Sequence, residues 1–165
     1  MKSIIFVESA PESREKVQSY LEQIRGVTSV VPLEGADFSF ALHVIGEVRK
    51  VENIKEAVKA SSDVSGICSG VLGESNPMGA HWLSGYILLK QKYTKEEQEE
   101  MIVLAHSTGI LIESMSFSGF HQFKSIVMVS VDGPDRISNV VSHIRRMFWG
   151  ARYCPVRKPV IQARQ

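Results

Sequence analysis

Cysteine is scarce in this chain: Cys68 and Cys154 are the two among 165 residues, far apart and outside any CxxC or metal-spaced set. That argues against a disulfide framework and a cysteine-built metal site, and buried reduced thiols are expected instead. Long apolar runs are missing as well. The segment Met1-Lys2-Ser3-Ile4-Ile5-Phe6-Val7 has a short apolar run before Glu8, too brief for a secretory leader. The uncharged stretch from Ser75 to Leu89 is broken by Asn76, Pro77, His81 and two glycines, whereas a bilayer crossing demands about 20 apolar residues. No sign of charge is in surplus: 19 Lys and Arg stand against 18 Asp and Glu, so the global field announces neither a nucleic-acid nor a membrane-surface protein. A soluble cytoplasmic protein is the expectation. Catalytic signatures are absent too. Ser116, Ser118 and Ser125 form no nucleophile elbow or triad ordering, and Gly35, Gly70, Gly73 and Gly119 do not lead from strand to helix as a phosphate loop would.

What the chain does have is a repeat. Residues 1–72, moved along by 83 positions without a gap, bring Gly26 onto Gly109, Leu21 onto Leu104, Ile54 onto Ile137 and Val58 onto Val141. A duplicated fold is the economical reading, and 44% apolar residues suffice for its cores. The organisation it predicts is a first unit over 1–72, a turn-rich linker over 73–80, and a second unit over 81–165 with a basic tail. Fully extended, the linker reaches on the order of 25 Å, enough for the units to fold back on each other.

Within the first unit, Ile4 to Val7 reads as a strand, and Ser9-Ala10-Pro11-Glu12 starts a helix carrying Val17, Tyr20, Leu21 and Ile24 at helical spacing. Gly26 stops that helix. Val27 to Leu33 and Phe38 to Ile45 read as a strand pair around Glu34-Gly35-Ala36-Asp37; in the return strand Phe40, Leu42 and Val44 share one face, Ser39, Ala41 and His43 the other. A second helix from Val48 to Ser61 and a strand from Val64 to Leu72 close the unit. The second unit repeats the plan: a strand from Trp82 to Lys92, a capping pattern Thr94-Lys95-Glu96-Glu97 before Met101, Leu104 and Ala105, strands Ile110 to Phe117 and Phe123 to Val131, a helix carrying Ile137, Val140, Val141, Ile144 and Met147, and a strand Tyr153 to Val160.

Strand, helix, strand, strand, helix, strand, read twice, predicts an α+β protein of two tandem βαββαβ ferredoxin-like units packed as an intrachain pseudo-dimer. The helices cover one face of each antiparallel sheet. Phe6, Ala41, Ile45, Leu89 and Met128 are candidates for the second face, which needs the other unit as its cover.

The run Val27-Thr28-Ser29-Val30-Val31-Pro32-Leu33-Glu34-Gly35-Ala36-Asp37-Phe38, the helix Val51 to Ala60, and Val64-Ser65-Gly66-Ile67 together resemble the ligand-binding domain of leucine-responsive (Lrp/AsnC) regulators. That family carries a glycine-x-aspartate turn between its second and third strands and a glycine-valine pair entering the fourth. The resemblance implies sheet-to-sheet pairing and a small effector, often an amino acid, bound where the domains meet. It puts Gly35 and Asp37 at the effector-side turn. Two departures stand out: the chain opens in the first strand with no helix-turn-helix before it, and the second copy has Ser118-Gly119-Phe120-His121 at its turn, without the aspartate. The wider group of dimeric α/β barrels, including small monooxygenases and thiamin-binding tandem proteins, is similar in organisation.

These readings make Gly35, Asp37, His43 and His121 the candidate ligand residues. Asp37 would hold an ammonium group, or bond its own turn. His43 and His121 come from corresponding regions and would meet at a shared cavity as metal or haem ligands, but no carboxylate or cysteine sits beside them at ligand spacing, so no metal site is assigned. His81-Trp82 would stack on a ring-shaped ligand or pack beside the linker. A second class rests on Arg145, Arg146, Arg152, Arg157 and Lys158, interleaved with Phe148, Trp149 and Tyr153; cations for phosphates and aromatics for bases suit a single-stranded nucleic acid, while cations at a helix carboxyl end also complement its dipole. The expected function is small-molecule sensing or regulation in a cavity between the units. Its alternatives are an enzyme whose reactivity comes from a bound cofactor of unassigned identity, and an interaction module that recruits another protein subunit or a further copy of the chain.

Overall fold

The computed structural model describes residues 2–34, 38–72, 82–108, 110–117, 123–131 and 137–161. In the first repeat β1 (Lys2–Ser9) leads through a single 3₁₀ turn (Pro11–Ser13) into α1 (Arg14–Glu22), followed by β2 (Val27–Pro32), β3 (Phe40–Ile45), α2 (Val48–Lys59) and β4 (Val64–Leu72). The second repeat has β5 (Trp82–Leu89), α3 (Lys95–Thr108), β6 (Ile110–Phe117), β7 (Ser125–Val131), α4 (Ile137–Met147) and β8 (Arg152–Ile161). The expected capping box at α3 forms in both directions: the Thr94 backbone N–H donates to Glu97 Oε1 at 2.8 Å, and the Glu97 N–H donates to Thr94 Oγ1 at 3.1 Å. Two orphan donors of the first turn are thereby satisfied.

The strands lie in the order β2-β3-β1-β4-β6-β7-β5-β8, antiparallel at every junction. Each repeat contributes four strands in the same internal order, and the seam β4–β6 joins them, with Gly70 opposite Phe117 and Leu72 opposite Met115. The far edges meet as well. Leu33, just past β2, bridges Val156 of β8, and the Glu34 N–H donates to the Pro155 carbonyl at 2.8 Å. Eight strands therefore close into a barrel, which leaves no long free edge. Approximate twofold symmetry follows from the order alone, because the fourth strand of each repeat abuts the second strand of the other.

The period of two explains how the residues sort. On β3, Phe40, Leu42 and Val44 pack beneath α1 and α2 with Ile5, Val7, Val17, Leu21, Val51, Ile54 and Val58. Ala41 faces inward, joining Ile4, Phe6, Cys68, Tyr86, Leu88, Met128 and Cys154 in the barrel interior. A third cluster, Ile87, Leu89, Met101, Val127, Val129, Val140, Val141, Ile144 and Phe148, fills the space under α3 and α4. Of the residues expected on the inner face, Phe6, Ala41 and Met128 are there; Leu89 lies on the helix side, and Ile45 is 42% exposed.

The repeat spacing also shifts along the chain. Val27 and Ile110, 83 apart, open β2 and β6, but the starts of α2 and α4, Val48 and Ile137, are 89 apart. The buried helix residues Val51, Ile54 and Val58 find their counterparts in Val141, Ile144 and Phe148, each 90 positions on. The gapless pairing of Ile54 with Ile137 and Val58 with Val141 gives way for two reasons: β6 and β7 are together three residues longer than β2 and β3, and five residues separate β7 from α4 against two between β3 and α2.

Candidate functional site

Between the repeats, where the ligand cavity is expected, the described residues include a buried apolar cluster. Phe6 stands edge-on to Tyr86 with centroids 5.2 Å apart and tilts against Phe38 at the same distance; Leu88, Phe123, Ile126 and Met128 pack around them. Both cysteines are here, Cys68 across from Phe6 and Cys154 across from Tyr86. Burial pushes the Cys68 thiol up to about 12, so it stays protonated and is no nucleophile at neutral pH.

At one end of this interior a polar contact joins the repeats. His43 Nε2 on β3 and the Tyr86 hydroxyl on β5 are 2.6 Å apart. Burial, and then the Lys2 ammonium, push the imidazole down to about 4, because a charged ring would lose solvation and face a like charge. His43 is therefore neutral at pH 7. Below its usual value of about 6.5, the unfolded chain takes up a proton that the folded chain refuses, so stability falls as pH drops from about 6.5 toward 4, by about 3 kcal/mol in all. Urea unfolding at pH 7 and 4.5 should show this extra acid sensitivity in the wild type and lose it in His43→Gln; equal pH slopes for the two proteins would contradict it.

A cavity of about 570 Å³ lies at the other end of β1, lined by Glu8, Ser9, Ser13, Arg14, Ser39 and Asp63 among others. Its floor is built by β1 and the residue before β3. Ser9 and Ser39 are both buried, the Ser9 hydroxyl donating to Ser39 Oγ at 3.1 Å and the Ser39 hydroxyl donating to the Ser9 carbonyl at 3.2 Å. Arg14, the first residue of α1, lies over the Phe40 ring at 5.3 Å and donates from Nη2 to the carbonyls of Leu33 and Ser39. Its Nε–H is buried with no acceptor among the described residues. Asp63, on the loop after α2, is held by Lys16 at 3.3 Å and sits 3.5 Å from the Ser13 hydroxyl. Burial, then the neighbouring Arg157, lower the Arg14 pKa against the opposing pull of Glu34; a guanidinium remains charged throughout. The lining thus combines a guanidinium and hydroxyls with two carboxylates.

Of the expected ligand residues, His43 is the one described, and its partner is Tyr86; Gly35, Asp37 and His121 lie outside the described residues. The basic set divides in two. Arg145 and Arg146 are exposed at the end of α4 and Arg152 at the start of β8, while Arg157 reaches the closing seam near Arg14; the Lys158 side chain is outside the described residues. The sequence reading missed Arg14, Ser39, Asp63 and Tyr86. The available signal was Ser9 and Ser39, polar residues at strand positions flanked by apolar neighbours, where burial demands hydrogen-bond partners.

No protein-family model matches the sequence, and no curated protein matches it. Solved structures do resemble it. The siroheme decarboxylase NirDL superposes with a TM-score of 0.63 at 10% identity, over 99% of this chain and 73% of that one; the same enzyme in co-complex with an iron-uroporphyrin III analogue gives 0.64 at 10%, over 96% and 72%. A mutant chlorite dismutase from Candidatus Nitrospira defluvii in complex with cyanide gives 0.55 at 12%, over 95% and 90%. A heme-binding protein from Thermus thermophilus gives 0.51 at 10%, over 98% and 90%.

A haem iron needs an axial nitrogen, sulfur or oxygen facing open space. Among the described residues, His43 Nε2 is engaged by Tyr86, His143 Nε2 lies 3.6 Å from Glu100, Cys68 and Cys154 are packed in apolar surroundings, the Tyr153 hydroxyl donates to the Ser84 carbonyl at 3.1 Å, and no His, Cys, Met or Tyr lines the 570 Å³ cavity. Nor do three His, Cys, Asp or Glu residues gather anywhere among them to hold a metal. The described residues therefore do not fit a ligated haem. No helix among them is long and apolar enough to cross a membrane. At 10–12% identity the likenesses speak for the fold, and they do not reach the Lrp/AsnC resemblance. The chain has the ferredoxin-like, dimeric α/β-barrel fold, with both halves supplied by one polypeptide.

Proposed function

We propose that this chain binds a small polar organic molecule in the cavity beside Arg14. The observation that carries the reading is that cavity, whose lining brings Arg14 together with the paired serines Ser9 and Ser39 and the carboxylates of Glu8 and Asp63. A guanidinium in partly dry surroundings favours a carboxylate on the ligand, and Glu8 and Asp63 suit its hydrogen-bond donors. For the use made of the ligand, the solved neighbours weigh toward a cofactor-dependent enzyme over the sensing role that the Lrp/AsnC resemblance implies: two are enzymes by name, and one is in complex with an iron-uroporphyrin III analogue.

Thermal unfolding across a panel of small carboxylic acids, amino acids and vitamins tests the site. A ligand at 100 times its Kd stabilises by about 2.7 kcal/mol, which raises Tm by roughly 5–10 °C for a chain of this size. Arg14→Gln should abolish that rise. A panel without any shift, or a shift that persists in Arg14→Gln, would overturn the assignment. Absorption titration with haem and with iron-uroporphyrin separates the uses: a stoichiometric band shift favours cofactor-dependent turnover, and its absence beside a positive thermal shift favours sensing.

A further inference from the structure

Phe148 and Trp149 are neighbours in sequence, and the fold sends them to opposite environments. Phe148 is fully buried under α3 and α4, whereas Trp149 is 83% exposed. Gly150 makes the turn between them and β8 with φ +74, a left-handed conformation that glycine adopts without strain. A Cβ at Gly150 would also lie 3.0 Å from Lys90 Cδ, which would have to give by a few tenths of an ångström. Lys90 then extends along the indole, its Nζ 5.2 Å from the ring centroid, within cation–π range.

Further cations converge on this corner. Arg145 and Arg146 are exposed in the last turn of α4, and Arg152 opens β8 opposite Leu88. The backbone N–H of Lys124 donates to the Leu89 carbonyl at 2.7 Å, which sets Lys124 beside the strand end leading to Lys90. None of these five cations is in an ion pair with a described residue. Of the four acids on the adjacent α3, Glu96, Glu97, Glu99 and Glu100, the Glu97 carboxylate accepts from the Thr94 N–H and Glu100 faces His143 at 3.6 Å.

We infer that this corner of the second repeat docks single-stranded nucleic acid, Trp149 stacking on a base while Lys90, Lys124, Arg145, Arg146 and Arg152 meet the backbone phosphates. The chain carries a formal net charge of +1, so this attraction to a polyanion is local to the corner. An indole rimmed by cations matches the alternation of flat base and anionic phosphate along a single strand. A lipid surface would be better served by several apolar anchors, and among the described residues Trp149 is the exposed large apolar side chain at this corner.

Fluorescence anisotropy of a labelled oligodeoxythymidylate of about 20 nucleotides tests the inference, at salt from about 50 to 200 mM. Four or five neutralised phosphates give a log–log salt slope of about −3. Trp149→Ala should weaken binding about 5- to 100-fold with the slope unchanged, and Trp149→Phe should restore most of it. Arg145→Glu combined with Arg146→Glu and Arg152→Glu should flatten the slope. No anisotropy change at the lowest salt, or equal affinity for Trp149→Ala and wild type, would overturn the proposal. So would Trp149-dependent sedimentation with phosphatidylserine vesicles in the absence of oligonucleotide binding. Trp149→Phe keeps the test open if the alanine variant proves unstable.

Discussion

Cut at the linker, neither half of this chain should persist as a soluble monomer. The barrel interior is shared evenly: Ile4, Phe6, Val31, Leu33, Phe38, Ala41 and Cys68 come from the first repeat, and Tyr86, Leu88, Phe123, Ile126, Met128, Cys154 and Val156 from the second. Separation would expose seven such side chains on each half. Fully burying a large aliphatic or aromatic side chain contributes about 1.5–3 kcal/mol, so each half would forgo on the order of 10 kcal/mol, comparable to the whole stability of an ordinary domain. The cut also opens both seams, β4–β6 and the Leu33–Val156 bridge, leaving strand edges that invite pairing with any available chain. Residues 1–72 and 81–165 produced separately should be insoluble or self-associated at sedimentation equilibrium, and mixing them should yield one species that unfolds cooperatively. A monomeric, cooperatively unfolding 1–72 would show that the interior is dispensable and would remove the reason for a duplication within one chain.

How far the sequence discloses this arrangement depends on where local patterning ends. Phe40, Leu42 and Val44 separate cleanly from Ser39, Ala41 and His43 because polar and apolar residues alternate there, and the structure sorts them to helix side and interior as the period of two requires. β5 offers no such guide. Tyr86, Ile87, Leu88 and Leu89 are all fully buried, apolar on both faces, so parity cannot be read from them and Leu89 is easily set on the wrong side. Helix spacing fixes the stripe of Val140, Val141 and Ile144 whatever the repeat offset, yet it cannot reveal that the connection into α4 has grown. The cavity beside Arg14 is hidden for a different reason. Its walls come from residues 8–14, 39 and 62–65, polar side chains each ordinary in its own neighbourhood, and their convergence is a property of strand pairing and loop return.

The interior can be interrogated through one side chain. Tyr86 is fully buried, meets Phe6 edge-on at 5.2 Å and reaches His43 at 2.6 Å. Tyr86→Ala removes an aromatic ring from a packed core, a change that costs about 3–5 kcal/mol, and it leaves the His43 ring without this partner, for about 1–3 kcal/mol more. With about 2–4 °C per kcal/mol for a chain of this size, Tm should fall by roughly 8–30 °C. Tyr86→Phe isolates the polar part. It keeps the ring and the edge-on contact, so its loss should be about 1–2 kcal/mol, and a double-mutant cycle with His43→Leu should return a coupling of at least about 0.5 kcal/mol. The alanine variant decides more than stability, because its cost depends on whether neighbours surround the ring. A loss below about 1 kcal/mol would mean that Tyr86 borders open space, and the ligand would then belong between the repeats, with His43 and Tyr86 on its wall, instead of beside Arg14.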